Sequence, residues 1–146
     1  MAIPVGPRHV AFILDGNRRF AKRMALQPWK GHEAGKEKVK DLLKWCKQLD
    51  ITEVTLYAFS MQNFKRSKEE VSFLMDLFLK AADEFGSSDD PDSESVSIRV
   101  IGRRHLLPAK VQEAISALEA RTKDNGPYIL NIALAYGGRE EVVDAV

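Results

Sequence analysis

The segment His9–Lys22, HVAFILDGNRRFAK, decides the fold. Its apolar run, Val10 to Leu14, has the β-branched and aromatic content of a strand, and it leads straight into Asp15-Gly16-Asn17 and a basic helix start. In open α/β sheets, ligands bind outside the carboxyl ends of the strands, where the next helix presents free N–H groups to an anion. Gly16 permits a tight turn and close approach of a ligand to the backbone, while Arg18 and Arg19 can add charge-assisted hydrogen bonds to phosphate oxygens. Asp15 would repel the same phosphate unless its carboxylate holds a divalent cation. Magnesium suits that role, because it favours one or two carboxylates together with phosphate oxygens and water. The pattern reads as metal plus diphosphate. On spacing alone, a helix-capping Asp15 beside two solvated arginines remains the alternative.

Three more runs read as strands: Val54 to Ser60, Ile98 to Ile101 and Ile129 to Ala135. Helix-length segments separate them. Val39, Leu42, Leu43, Cys46 and Leu49 share one helical face between Gly35 and Asp50. Val71, Leu74, Met75 and Phe78 do the same behind Ser67, an expected N-cap with Glu70 as its capping-box partner. Pro108 opens a third helix with Val111, Ile115 and Leu118 inward, ending near Asn125-Gly126-Pro127, and Gly138 to Val146 begins a fourth. Alternating strands and helices predict an α/β class, with a mostly parallel central sheet and helices on both faces.

With 146 residues, 45% hydrophobic and 29% charged, the chain matches a single soluble domain, residues 1–146. Twenty-two basic against 21 acidic residues leave a net charge of +1, which argues against nucleic acid as a partner and requires any anion to be held locally. No apolar run approaches the ~20 residues that span a bilayer, and no leader is visible, so a cytoplasmic location is expected. The lone Cys46 reads as a buried, inert thiol. Gly86 to Ser95, GSSDDPDSES, reads as a mobile acidic loop. A metal site from Asp89, Asp90, Asp92 and Glu94 lacks the calcium-loop spacing.

The Asp15-Gly16-Asn17-Arg18-Arg19 element resembles the signature of the cis-prenyltransferases. The match continues through Gly31-His32-Glu33-Ala34-Gly35, Leu56-Tyr57-Ala58-Phe59-Ser60 with Asn63-Phe64-Lys65-Arg66, and Asn131-Ile132-Ala133 with Tyr136-Gly137-Gly138-Arg139. The resemblance implies an enzyme that transfers isopentenyl units to an allylic diphosphate, farnesyl or geranylgeranyl diphosphate, with cis double bonds. Its products serve as lipid carriers of the undecaprenyl and dolichol kind.

By that resemblance Asp15 is the magnesium ligand and, with Asn17 and Asn63, a catalytic residue. Gly16, Arg18, Arg19, His32, Ser60, Phe64, Arg66 and Glu70 bind substrate, and Val39, Leu43, Leu74, Leu77, Phe78 and Leu130 line a hydrophobic tunnel between helices and sheet. Magnesium is the implied cofactor. A homodimer is implied for full-length members, with peripheral membrane association as product is delivered. Pro28 stands where some members carry a further diphosphate-binding arginine, a contact that is missing here or supplied by Lys30. The family's last strands and its Arg-rich motif lie beyond Arg139, so these C-terminal strands are expected to be absent. The competing readings are a non-catalytic prenyl diphosphate-binding module or partial subunit, and a nucleotide-binding α/β domain, although neither GxGxxG nor a P-loop occurs.

Overall fold

A computed structural model describes residues 6–85 and 93–146. Four strands, β1 (His9–Ile13), β2 (Glu53–Ser60), β3 (Val96–Ile101) and β4 (Tyr128–Tyr136), form one sheet in the order β1-β2-β4-β3, with every neighbouring pair parallel. Parallel neighbours need crossovers, and the helices supply them: α1 (Asn17–Arg23) and α2 (Gly31–Gln48) between β1 and β2, α3 (Lys68–Glu84) between β2 and β3, and α4 (Ala109–Thr122) between β3 and β4. The helix α5 (Gly138–Ala145) follows β4. The predicted α/β class and parallel sheet are therefore observed.

Register sorts the side chains. Val10, Val54, Leu130 and Ile98 form one row across the sheet, and Phe12, Leu56, Ile132 and Val100 the next. Both rows pack against apolar side chains of α2 and α3. The alternate positions carry polar groups: His9 Nε2 lies 2.7 Å from Thr55 Oγ1, and Asn131 Nδ2 donates to Glu53 Oε1 at 2.7 Å. The helix α4 runs along the outer edge of β3, a place the sequence did not specify. There Thr122 Oγ1 and Glu119 Oε1 accept the backbone N–H groups of Ile98 and Val100, at 3.1 and 2.7 Å, and so pair an otherwise open strand edge.

Local differences from expectation have local causes. The first long helix begins at Gly31 rather than Gly35, and Leu49, expected inward, is its C-cap and 68% exposed. The chain reverses there through Asp50 at φ 55°, with Asp50 N–H donating to Lys47 O and Ile51 N–H to Cys46 O. This Schellman closure buries Ile51 against Cys46 and leaves Leu49 outside. The helix α1 closes in the same way, with Ala25 at φ 53° and Leu26 N–H donating to Ala21 O. Cys46 is buried, and burial raises its thiol pKa. The acidic segment falls largely on residues 86–92, outside the described residues. Among those described, no helix is long and apolar enough to cross a membrane.

Left-handed backbone costs an L-residue roughly 1–2 kcal/mol, and glycine escapes most of that cost. Ala25→Gly is therefore expected to raise the unfolding free energy by about 0.5–1 kcal/mol, after allowance for the looser unfolded chain. Urea titration of the two proteins would measure it; equal or lower stability in the variant contradicts the assignment of strain to Ala25.

Candidate active site

At the carboxyl ends of β1 and β2 a cleft of about 720 Å³ opens between the sheet, α2 and α3. Its polar end holds Asp15, Asn17, His32, Ser60, Asn63 and Arg66. All six expected tunnel residues, Val39, Leu43, Leu74, Leu77, Phe78 and Leu130, line its remainder. Leu56 and Ile132 of the sheet and Lys36, Lys40 and Glu84 of the two helices also line it, and none of these five was assigned to the tunnel from the sequence.

Backbone contacts pack the polar end tightly. Gly16, at φ 97°, turns the chain from β1 into α1, and its N–H donates to Asp15 Oδ1 at 2.6 Å. A Cβ on Gly31 would lie 2.0 Å from the Asn17 carbonyl oxygen, and one on Gly35 would lie 2.7 Å from the Asn17 amide. Glycine at these two positions lets the first turn of α2 press against the start of α1, which brings His32 to Asn17.

At the centre lies Glu70, 2% exposed. Its Oε1 is 2.9 Å from Arg66 Nη1, 3.3 Å from His32 Nε2 and 3.7 Å from Arg18 Nε. The Asn17 amide lies 3.3 Å from His32 Nδ1. An amide donating to Nδ1 leaves the ring proton on Nε2, facing the Glu70 carboxylate. Burial pushes the His32 pKa below its ordinary value; the Glu70 hydrogen bond opposes the shift, and the Arg66 charge adds to it. His32 is thereby held neutral.

Glu70 was expected to close a capping box with Ser67. Ser67 does accept the Glu70 N–H, at 3.2 Å, but the Glu70 carboxylate turns inward to Arg66 and His32 instead. The capping box lies instead on the preceding 3-10 helix, Met61–Lys65: Asn63 Oδ1 accepts the Ser60 N–H at 3.0 Å, while the Ser60 side chain accepts the Asn63 N–H. Ser60 and Asn63 thus brace the loop that carries Arg66.

The remaining candidates lie apart from this cluster. Asp15 and Arg19 form an exposed pair at 2.8 Å, with side chains 77% and 74% accessible. Phe64 stacks edge-on against Phe59, 4.9 Å between ring centroids, within the core rather than on the cleft wall. Lys30, the expected replacement for the arginine missing at Pro28, turns to Glu33 and the Phe73 ring and does not line the cleft. No cluster of three or more metal-ligating side chains occurs among the described residues.

Comparison with known proteins agrees with this architecture. The family model "Prenyltransf: Putative undecaprenyl diphosphate synthase" matches residues 13–146. The chain is 49% identical over 140 residues to the tritrans,polycis-undecaprenyl-diphosphate synthase (geranylgeranyl-diphosphate specific) of Pyrococcus horikoshii, covering 96% of this chain and 53% of that protein. It is equally similar, 49% over 140 residues with the same coverage, to an isoprenyl transferase of Thermus thermophilus. The chain thus spans about half the length of the curated relatives it matches. Among solved structures, lavandulyl diphosphate synthase from Lavandula x intermedia, in complex with dimethylallyl diphosphate, superposes with a TM-score of 0.88. Its sequence is 36% identical, and the match covers 97% of this chain and 60% of that one.

A histidine whose pKa is lowered by folding contributes stability that is complete above its unfolded value, near 6.5, and is lost as pH falls toward its folded value. Unfolding free energy measured by urea titration should therefore fall with decreasing pH below about 6.5, and His32→Gln should flatten that slope. An unchanged slope in the variant would assign the pH dependence to other groups.

Proposed function

This chain belongs to the cis-prenyltransferase family of undecaprenyl diphosphate synthases, and from that premise we propose that its cleft binds an allylic prenyl diphosphate and elongates it with isopentenyl diphosphate. The observation that carries the reading is the continuity of one cleft, from a polar, hydrogen-bonding end at Asp15, Asn17, His32 and Arg66 to an apolar wall of α2, α3 and sheet residues. A diphosphate headed by a hydrocarbon chain has the same division. The geranylgeranyl-diphosphate specificity in the name of the Pyrococcus relative and the dimethylallyl diphosphate in the Lavandula complex support an allylic substrate.

Arg66 would bind the phosphate oxygens at the polar end of the cleft, and Arg18, 3.7 Å from the same Glu70 carboxylate, would add a second guanidinium beside it. Neutral His32 would donate or accept a hydrogen bond there without adding fixed charge. Asn17 orients that histidine and offers its amide to the incoming isopentenyl group. The tunnel side chains exclude water from the allylic carbon and hold the double bond of the second substrate near it, a positioning task that suits rigid walls. Each five-carbon unit buried contributes on the order of 3–4 kcal/mol, at about 0.8 kcal/mol per CH₂-sized group.

Magnesium fits the donor set at Asp15. An exposed hard carboxylate at the mouth of the cleft, with Arg19 as its exchangeable partner, can supply the single protein ligand that the ion needs beside substrate phosphate and water. When bound, the ion would neutralise charge on the departing diphosphate. The membrane-bound fate of the product and a homodimeric assembly belong to the same proposal.

Incubation with farnesyl or geranylgeranyl diphosphate, radiolabelled isopentenyl diphosphate and magnesium should yield labelled polyprenyl product. Asp15→Ala is expected to reduce incorporation by about 10²–10³-fold or more, the scale of losing one preorganised electrostatic contact in a transition state, while the thermal midpoint stays unchanged because Asp15 is exposed. Binding of prenyl diphosphate without incorporation would favour the non-catalytic module. Full activity in Asp15→Ala would remove that carboxylate from the reaction.

A further inference from the structure

Three charged side chains stand in the helical wall of the cleft beside its apolar lining, and diphosphate binding gives them no role. Lys36 Nζ donates to Glu84 Oε1 at 2.7 Å, and Lys40 Nζ lies 3.5 Å from Glu84 Oε2. All three residues line the cleft, beside Val39 and Leu43 on α2 and Ala81 and Phe85 on α3. The Lys36 side chain is only 20% exposed, so its methylene stem forms part of the apolar wall while its ammonium reaches across to the other helix.

The reach is oblique. The helices α2 and α3 meet at His32 and Glu70, yet at 1.5 Å per residue Lys36 lies about 6 Å further along α2 and Glu84 about 21 Å further along α3. The ion pairs therefore bridge the two helices beside the apolar lining residues Val39, Leu43, Ala81 and Phe85. A hydrocarbon chain that extends along the cleft from its polar end meets the charged bridge between α2 and α3, and contact between alkyl carbons and charged groups is unfavourable.

We propose that Lys36, Lys40 and Glu84 form a strap across the cleft that discriminates by chain length: shorter prenyl chains lie beneath it, and longer ones must part it. This inference rests on the prenyl diphosphate reading of the cleft. Partly exposed ion pairs are weak, so the strap opens at modest cost and discriminates by a factor rather than absolutely.

Calorimetric affinities of the full chain for inorganic diphosphate and for geranyl, farnesyl and geranylgeranyl diphosphates test it. In Glu84→Gln the affinity for geranylgeranyl relative to farnesyl diphosphate should rise by about fivefold, the range of one or two exposed ion pairs. Lys36→Met with Lys40→Met, which keeps apolar stems and removes the charges, should give the same rise, and combining all three substitutions should add nothing. Affinity for inorganic diphosphate should not change in any variant. An unaltered geranylgeranyl-to-farnesyl ratio in both variants, with wild-type binding intact, overturns the strap alone. Failure of the wild-type chain to bind any prenyl diphosphate overturns the site reading and the strap together, so the two failures are distinguishable.

Discussion

The carboxylate of Glu70 is the constraint on which the rest of the site depends. Removing a charge from water costs several kcal/mol even after relaxation, and only well-placed opposite charges and donors offset that cost. Glu70 is 2% exposed, and its three partners come from three separate segments: Arg18 on α1, His32 on α2, and Arg66 in the loop before α3. Folding cannot bury this carboxylate without bringing those segments together. The convergence that satisfies Glu70 is thus the same convergence that places the Arg66 guanidinium and the His32 imidazole on the cleft, with Arg18 beside them.

Glycine makes the convergence possible. The Asn17 backbone and side chain occupy the space that a Cβ at Gly31 or Gly35 would need, so α2 can approach α1 only with glycine there. Beyond that contact the space between α2, α3 and the sheet is walled by Val39, Leu43, Leu74 and Leu77 from the helices and Leu56 and Leu130 from the sheet. Polar head and apolar body of the cleft therefore follow from one packing decision near the ends of β1 and β2. The parallel pairing of these strands places both ends on the same side.

Most of the fold was legible because it depends on periodicity. The strands Glu53–Ser60 and Tyr128–Tyr136 and the inward faces of α3 and α4 follow from residue type and spacing alone. What escaped depends on long-range pairing. Nothing local says that Glu70 will turn away from its own helix N-terminus, because a capping glutamate and a buried hub glutamate have the same sequence environment. Leu49 fits the helical stripe, yet it lies outside because Asp50 adopts a left-handed conformation usually associated with glycine. Phe64, adjacent to polar site residues in sequence, is drawn into the core by Phe59. Lys36 and Lys40 read as ordinary solvated charges of an amphipathic helix until Glu84, 48 residues beyond Lys36, is placed opposite them.

Two carboxylates near the polar end have opposite surroundings, and this division separates their roles. Glu70 is enclosed by fixed cationic partners, so it cannot release them for a metal without leaving a buried charge uncompensated. Asp15 is open to water; its Arg19 partner is equally open, and an exposed pair of this kind is worth about 1 kcal/mol or less. An incoming cation or phosphate can displace that partner cheaply. A carboxylate that must exchange ligands during turnover belongs at the exposed position, and one that must hold arginines and a histidine in register belongs at the buried one. The site has one of each: Asp15, whose partner is open to exchange, and Glu70, which holds its partners in register.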